Sequence, residues 1–323
     1  MTIFLPVASG KGGTGKSLFS TNLGASLAAA GKTTILVDLD LGGSNLHTCL
    51  GIKNNHPGLG YIIQRKEKHI QALLVETGIP RLHFIPGDSL FPGSANLEFF
   101  VKQKIIKDLR ELKADYIILD LGAGTNFNVI DFFLMTHQGL VLTAPETTAI
   151  LNSYSFLKTA LFRLLFRSFP PRSAERKAIA SFISQRIEGS GSNFHDLVKI
   201  ISTLKDASGK LAQRQLAGFF PRVILNQCRS QNDINIGARL RDISRRNLGV
   251  EIEYIGVLPH DPNLPASLIK RKPLYALAPE SPFCRSVDEV RNKIIALNQP
   301  GHPPLYEADE DLGALLQQLA PAT

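Results

Sequence analysis

Cysteine is scarce and dispersed: Cys49, Cys228 and Cys284 are the only three, and no two form a CxxC pair. That spacing argues against a disulfide framework or a sequence-local zinc site, and a reducing cytoplasm is its simple reading. There is no basic amino-terminal stretch leading into an apolar segment with a small-residue cleavage site. No uninterrupted apolar run reaches about 18 residues, so neither a secretory signal nor a spanning helix is expected. The eight histidines show no close metal-ligand spacing, and His47 and His260 read as incidental polar residues. Internal repeats are missing too. What the chain does have is a 44% hydrophobic content over 323 residues, enough for a large core. Its formal charge of +8 suits contact with an anionic surface, whether nucleic acid, lipid headgroups or an acidic partner.

Short apolar runs alternate with helix-like stretches. Residues 3–9, 33–38, 82–85, 116–121, 139–143, 223–226 and 252–258 read as strands. The alternation predicts one doubly wound α/β domain, with a mostly parallel sheet and helices on both faces, over 1–298. Pro6 lies inside the first strand, where its missing N–H would cost a ladder bond if that strand were central. Residues 16–30 form an Ala- and Leu-rich helix pattern closed by Gly31. Residues 152–217 are a helical elaboration, interrupted at Pro170-Pro171 and at Gly189-Ser190-Gly191-Ser192, because strands resume at Val223. Residues 299–323 turn Pro-rich and acidic, a linker followed by one short helix.

The strongest signal is Gly10-Lys11-Gly12-Gly13-Thr14-Gly15-Lys16-Ser17, a G-x-x-x-x-G-K-[ST] loop between a predicted strand and a predicted helix. The glycines let backbone N–H groups wrap a phosphate, the helix N-terminus adds a favourable dipole, Lys16 neutralises β/γ charge and the Ser17 hydroxyl ligates magnesium. The competing reading is a Gly-rich turn that binds nothing. Phosphoryl transfer also needs carboxylates near the metal and a group that orients water. Two strand ends supply candidates, Asp38-Leu39-Asp40 and Asp120-Leu121-Gly122-Ala123-Gly124, both at the carboxyl ends where ligands bind in open α/β sheets. Each aspartate also reads as a helix cap or turn residue. Ser17, Asp38 and Asp120 are the candidate metal residues.

These motifs resemble the MinD/ParA family of ATPases, P-loop NTPases of the SIMIBI type, and within it the FlhG branch of flagellar-number regulators. Lys11 stands where the family carries a second loop lysine, which the resemblance implies reaches across a dimer interface to the partner's nucleotide in the manner of an arginine finger. The stretch 37–45 resembles the first switch, implying that Asp40 orients the attacking water. The stretch 120–124 resembles the second, with Asp120 holding magnesium through water. The segments 130–134 and 144–148 look like those of the FlhG branch, Asn226 matches the adenine-reading asparagine, and Pro259 matches the neighbouring adenine contact. The resemblance therefore implies ATP and Mg2+ as cofactors, slow hydrolysis, an ATP-dependent homodimer and an activating protein, acting in the spatial positioning of a flagellum, septum or other cargo. It covers about residues 1–150 and 220–275. The chain departs from the family in opening directly on its first strand, without the N-terminal extension of such flagellar regulators, and in an acidic end without MinD's basic-apolar membrane helix. Thr147 replaces the usual proline, and 152–217 is longer than expected.

Two surfaces offer other readings. Arg222, Arg229, Arg239, Arg241, Arg245, Arg246, Lys270, Arg271 and Lys272 suit a ParA-like nonspecific DNA binder, or an ordinary solvated helix face. The segment 157–169, with Leu161, Phe162, Leu164, Leu165, Phe166 and Phe169 beside Lys158, Arg163 and Arg167, suits an interfacial membrane helix or packing near a dimer interface. A nucleotide-dependent ligase or synthetase of the same fold would need a substrate pocket built from 152–217. Iron–sulfur relatives require cysteines absent here, and tyrosine-kinase relatives a terminal tyrosine cluster, where only Tyr275 and Tyr306 lie near the end.

Overall fold

The computed structural model describes residues 2–53, 55–87, 97–187, 194–297, 311–312 and 314–315. Its strands are β1 (Ile3–Ala8), β2 (Thr34–Leu39), β3 (Val75–Glu76), β4 (Leu82–Ile85), β5 (Tyr116–Leu121), β6 (Leu140–Thr143), β7 (Arg222–Cys228) and β8 (Glu253–Pro259). They form one sheet in the order β3-β4-β2-β5-β1-β6-β7-β8. Every pairing is parallel except β3 with β4. The expected doubly wound, mostly parallel sheet is present.

Alternation along the strands divides the core. Ile35, Val37, Leu39, Ile117, Leu119 and Leu121 face one apolar layer, while Leu36, Tyr116 and Ile118 face the other. The second layer is closed by α1 (Lys16–Ala29), through Phe19, Leu23 and Leu27, and by a C-terminal helix (Pro282–Leu297), through Phe283, Val287, Val290 and Ile294. The first layer is closed by helices at 99–111, 127–133, 147–168 and 231–248.

β1 is central, as the Pro6 conflict required it not to be. It pairs with β5 from Ile3 to Val7, but with β6 only at Val7 and Ala8, so at Pro6 the ladder runs on the β5 side alone. On the β6 side, at that position, a missing N–H costs no ladder bond.

Helix α2 (Thr147–Ser168) starts directly after β6, breaks at Pro170-Pro171 as expected, and is followed by α3 (Ala174–Ile187), α4 (Phe194–Leu204) and α5 (Asp206–Gly218). The Gly189–Ser192 break lies outside the described residues. Leu157, Leu161 and Leu165 are fully buried, and Phe162, Leu164 and Phe169 nearly so. The apolar side expected to suit a membrane surface is thus spent on the core, because α2 lies between the sheet and α3–α5. Phe162 meets Phe194 at a ring-centroid distance of 4.7 Å. Among the described residues no helix is long and apolar enough to cross a membrane. The linker expected after Asn298 lies outside the described residues up to 310, whereas Asp311, Leu312, Ala314 and Leu315 are helical, with Asp311, Leu312 and Leu315 buried against the sheet domain.

Candidate nucleotide-binding site

The loop Gly10–Ser17 joins β1 to α1 at the carboxyl edge of the sheet, beside the point where the strand order reverses. Gly15 has φ +90°, and a Cβ there would lie 2.5 Å from Asn226 Nδ2, so only glycine fits. Gly10 is pinned differently: a Cβ would stand 2.2 Å from the backbone carbon of Asn152. The first turns of the elaboration are therefore part of the loop's wall.

Parallel pairing places Asp38 of β2 directly opposite Asp120 of β5. Ser17 Oγ donates to Asp120 Oδ2 at 2.7 Å and Ser20 Oγ to Oδ1 at 2.8 Å. Asp38 accepts from Ser44 Oγ at 2.6 Å, from the Leu46 N–H at 3.2 Å and from the Asp40 N–H at 3.1 Å. The turn role expected as an alternative for Asp38 is thus real, and coexists with its place in the site. Burial first, and the neighbouring Asp120 second, push Asp38 up to about 7. Asp120 is likewise raised by burial, against the pull of Lys16 and the two serines. Asp40 lies over the segment 120–124, since a Cβ on Gly122 would be 3.3 Å from its Oδ1. Asn226, at the carboxyl end of β7, donates from Nδ2 to the Thr14 carbonyl at 2.8 Å. Pro259 ends β8 in register with Cys228.

The two loop lysines differ. Lys16 is buried beside Asp120, whereas Lys11 is on the rim, its Nζ 2.5 Å from Glu146 Oε2 and 3.4 Å from Thr148 Oγ1. Both partners of that ion pair keep substantial solvent contact, at 31% and 55% exposure.

Several contacts have no sequence signature. Glu146 meets Lys11 across a separation of 135 residues, and Gln227 donates to the Gly13 carbonyl at 3.2 Å. Ser20 alone was findable, standing three residues after Ser17 on the same face of α1.

A magnesium nucleotide fits this donor set. Thr14 Oγ1 and Asn226 Oδ1 are buried without a hydrogen-bond partner, and a Cβ on Gly12 or Gly13 would meet nothing within 4 Å, leaving room over the loop. Among the described residues no three His, Cys, Asp or Glu side chains close around one point. Magnesium needs no such cage, since it takes one or two protein oxygens and completes its shell with water and phosphate.

The basic residues considered for DNA are divided. Arg222 and Arg241 are buried in ion pairs with Glu253 and Asp311, and Arg245 makes a two-pronged pair with Glu251. Arg229, Arg239, Arg246, Lys270, Arg271 and Lys272 remain exposed. An open hollow of about 470 Å³, lined by Leu97, Phe99, Lys102, Asn126, Phe127 and Arg163 among others, takes only Arg163 from the elaboration.

Comparison with known proteins agrees with this geometry. The model of the CobQ/CobB/MinD/ParA nucleotide binding domain matches residues 5–274. The antiactivator FleN of Pseudomonas aeruginosa is 24% identical over 302 residues, covering 93% of this chain and 88% of that protein. The flagellum site-determining protein YlxH of Helicobacter pylori is 24% identical over 308 residues, covering 93% and 84%. The septum site-determining protein MinD of Pyrococcus horikoshii, solved as a complex with Mg-ADP, superposes with a TM-score of 0.62 at 20% identity, covering 93% and 98%. This chain belongs to the CobQ/CobB/MinD/ParA family of nucleotide-binding domains.

Proposed function

We propose that this protein is a magnesium-dependent ATPase of MinD/ParA type, working as an ATP-dependent dimerisation switch that positions a cellular structure such as a flagellum, septum or cargo. The observation that carries the reading is the unequal placement of the two loop lysines. Lys16 serves its own site, while Lys11 waits on the rim in an exposed ion pair of the kind worth only about 0–1 kcal/mol. Such a hold is easily exchanged for the phosphates of a second copy.

The roles follow from position. Backbone N–H groups of Gly10, Gly12, Gly13, Thr14 and Gly15 cradle the phosphates, and Lys16 neutralises their charge. Ser17, Asp38 and Asp120 would hold magnesium, Ser17 through its hydroxyl. Magnesium, when bound, withdraws charge from the β/γ oxygens. Asp40 orients the attacking water, and Asn226 and Pro259 hold the base. Lys11 of each copy completes the other's site, so hydrolysis stays slow until a partner protein favours the assembled state. YlxH and MinD, whose names place them in flagellum siting and septum siting, support the positioning role. The DNA-binding reading rests on fewer basic groups than the sequence suggested, and among the described residues the hollow of about 470 Å³ takes only Arg163 from 152–217.

Steady-state hydrolysis tests the enzyme assignment. Wild type is expected to release phosphate from Mg-ATP, and Lys16→Ala to lose about 100-fold or more. Equal rates in the two proteins would remove the loop from the chemistry.

A further inference from the structure

The amino ends of β7 and β8 bury charges that the nucleotide site does not use. Arg222 and Glu253 face each other in register and pair at 3.4 Å. One residue further, β8 is the last strand of the sheet among the described residues. There the Tyr254 N–H donates not to another strand but to Asp311 Oδ2 at 2.8 Å. The same carboxylate oxygen pairs with Arg241 Nη2 of the helix Gln231–Leu248. Arg241 is held ready for it: Nε donates to the Ile252 carbonyl at 3.3 Å, and the guanidinium lies 5.0 Å from the Tyr254 ring centroid. The Tyr254 hydroxyl in turn is fixed on the Gly237 carbonyl. Leu312 and Leu315, 3% and 1% exposed, enter the same apolar cluster as Leu248, Val250 and Ile252.

The edge of β8 thus reads three features of one short segment: a carboxylate, and leucines one and four residues after it. The carboxylate satisfies an edge-strand N–H and a buried guanidinium together, and removing one partner of a buried pair is strongly unfavourable. We propose that this edge is a recognition site for an acidic helical turn of the pattern Asp-Leu-x-x-Leu, filled in cis by residues 311–315 and taken by the same motif of a partner protein when that segment is displaced. Thirteen residues, 298–310, separate the segment from Leu297, so it is a ligand tethered to the domain by its own chain. Its effective concentration is of millimolar order. A free competitor therefore wins only once the cis copy is weakened. The site lies at the opposite end of the strands from Asn226 and Pro259, and its occupancy stands or falls apart from the ATPase reading.

The test uses the full chain carrying Asp311→Asn, Leu312→Ser and Leu315→Ser, titrated into a fluorescent peptide spanning residues 306–319. Anisotropy is expected to show saturable binding at least about tenfold tighter than to wild type. A peptide bearing Asp311→Asn should bind about tenfold more weakly than the native peptide. Equal binding to variant and wild type, or indifference to the peptide's aspartate, would overturn the proposal. Should the triple variant fold poorly, amide exchange in the single Asp311→Asn chain decides. The Tyr254 amide is expected to exchange at least about tenfold faster and to be protected again by excess native peptide. An unchanged amide would refute the site.

Discussion

Asp38 and Asp131 are equally buried carboxylates with opposite surroundings. Asp38 is fed by neutral donors and faces a second carboxylate across the β2–β5 pair, so burial and Asp120 drive it up to about 7. Burial pushes Asp131 upward as well, but Arg163 and Lys102 overcome it and hold the group below its ordinary value, with Arg167 a third cation on the same carboxylate. The contrast extends over both regions. At the carboxyl ends of the strands, Thr14 and Asn226 bury oxygens without partners. In the helical layer and at the amino ends of β7 and β8, Asp131, Glu253 and Asp311 are each matched by cations. A fold tolerates unmatched buried polar groups where an incoming ligand supplies the match, and pairs the buried charges of its helical layer for its own stability.

The comparison breaks most visibly at Asp131. Asp131→Ala leaves Lys102, nearly inaccessible to solvent, beside two arginines, and is expected to cost about 3–5 kcal/mol in chemical denaturation. The folded fraction should still bind nucleotide. A loss below about 1 kcal/mol would mean that the matched cluster is not structural.

At Asp38 the sign is reversed. Its folded pKa, about 7, exceeds its unfolded value of 3.8, so the folded state holds the proton more tightly. The stability this contributes is full below about pH 4 and is lost as pH rises toward 7. Asp38→Asn is therefore expected to stabilise the nucleotide-free protein relative to wild type by about 1–3 kcal/mol at pH 8, with the difference fading below pH 5. Paired melts across that range check it, and a difference constant with pH would show that Asp38 is not a strained carboxylate.

The smallest effect is on the rim. Glu146→Gln releases Lys11 from a half-exposed pair worth at most about 1 kcal/mol, and a symmetric dimer holds two such pairs, so ATP-dependent self-association should tighten by up to about 30-fold. Weaker association, measured by sedimentation, would show that Glu146 aids the dimer instead of competing with it.

The sequence made some of this legible for local reasons. The phosphate loop, Asp38, Asp40 and Asp120 sit in contiguous motifs at strand ends, where a few neighbouring residues fix the chemistry. Strands at 82–85 and 116–121 stand where apolar runs placed them. The two-residue β3 is too short to show alternation. Nothing local in the sequence shows that the Asn152 backbone of α2 forms the wall against Gly10, 142 residues away. Arg222 and Arg241 looked like surface cations because their partners, Glu253 and Asp311, are 31 and 70 residues away. An acidic tail gives no local sign that one of its carboxylates is buried.

The central claim is that nucleotide controls assembly, and light scattering tests it most directly. Wild type and Asp40→Ala would be weighed in ADP and in Mg-ATP. The account predicts a monomer in ADP and a dimer in Mg-ATP, more persistent in Asp40→Ala because the water is no longer oriented. A molar mass indifferent to nucleotide in both proteins would contradict it and leave Lys11 without a purpose in trans.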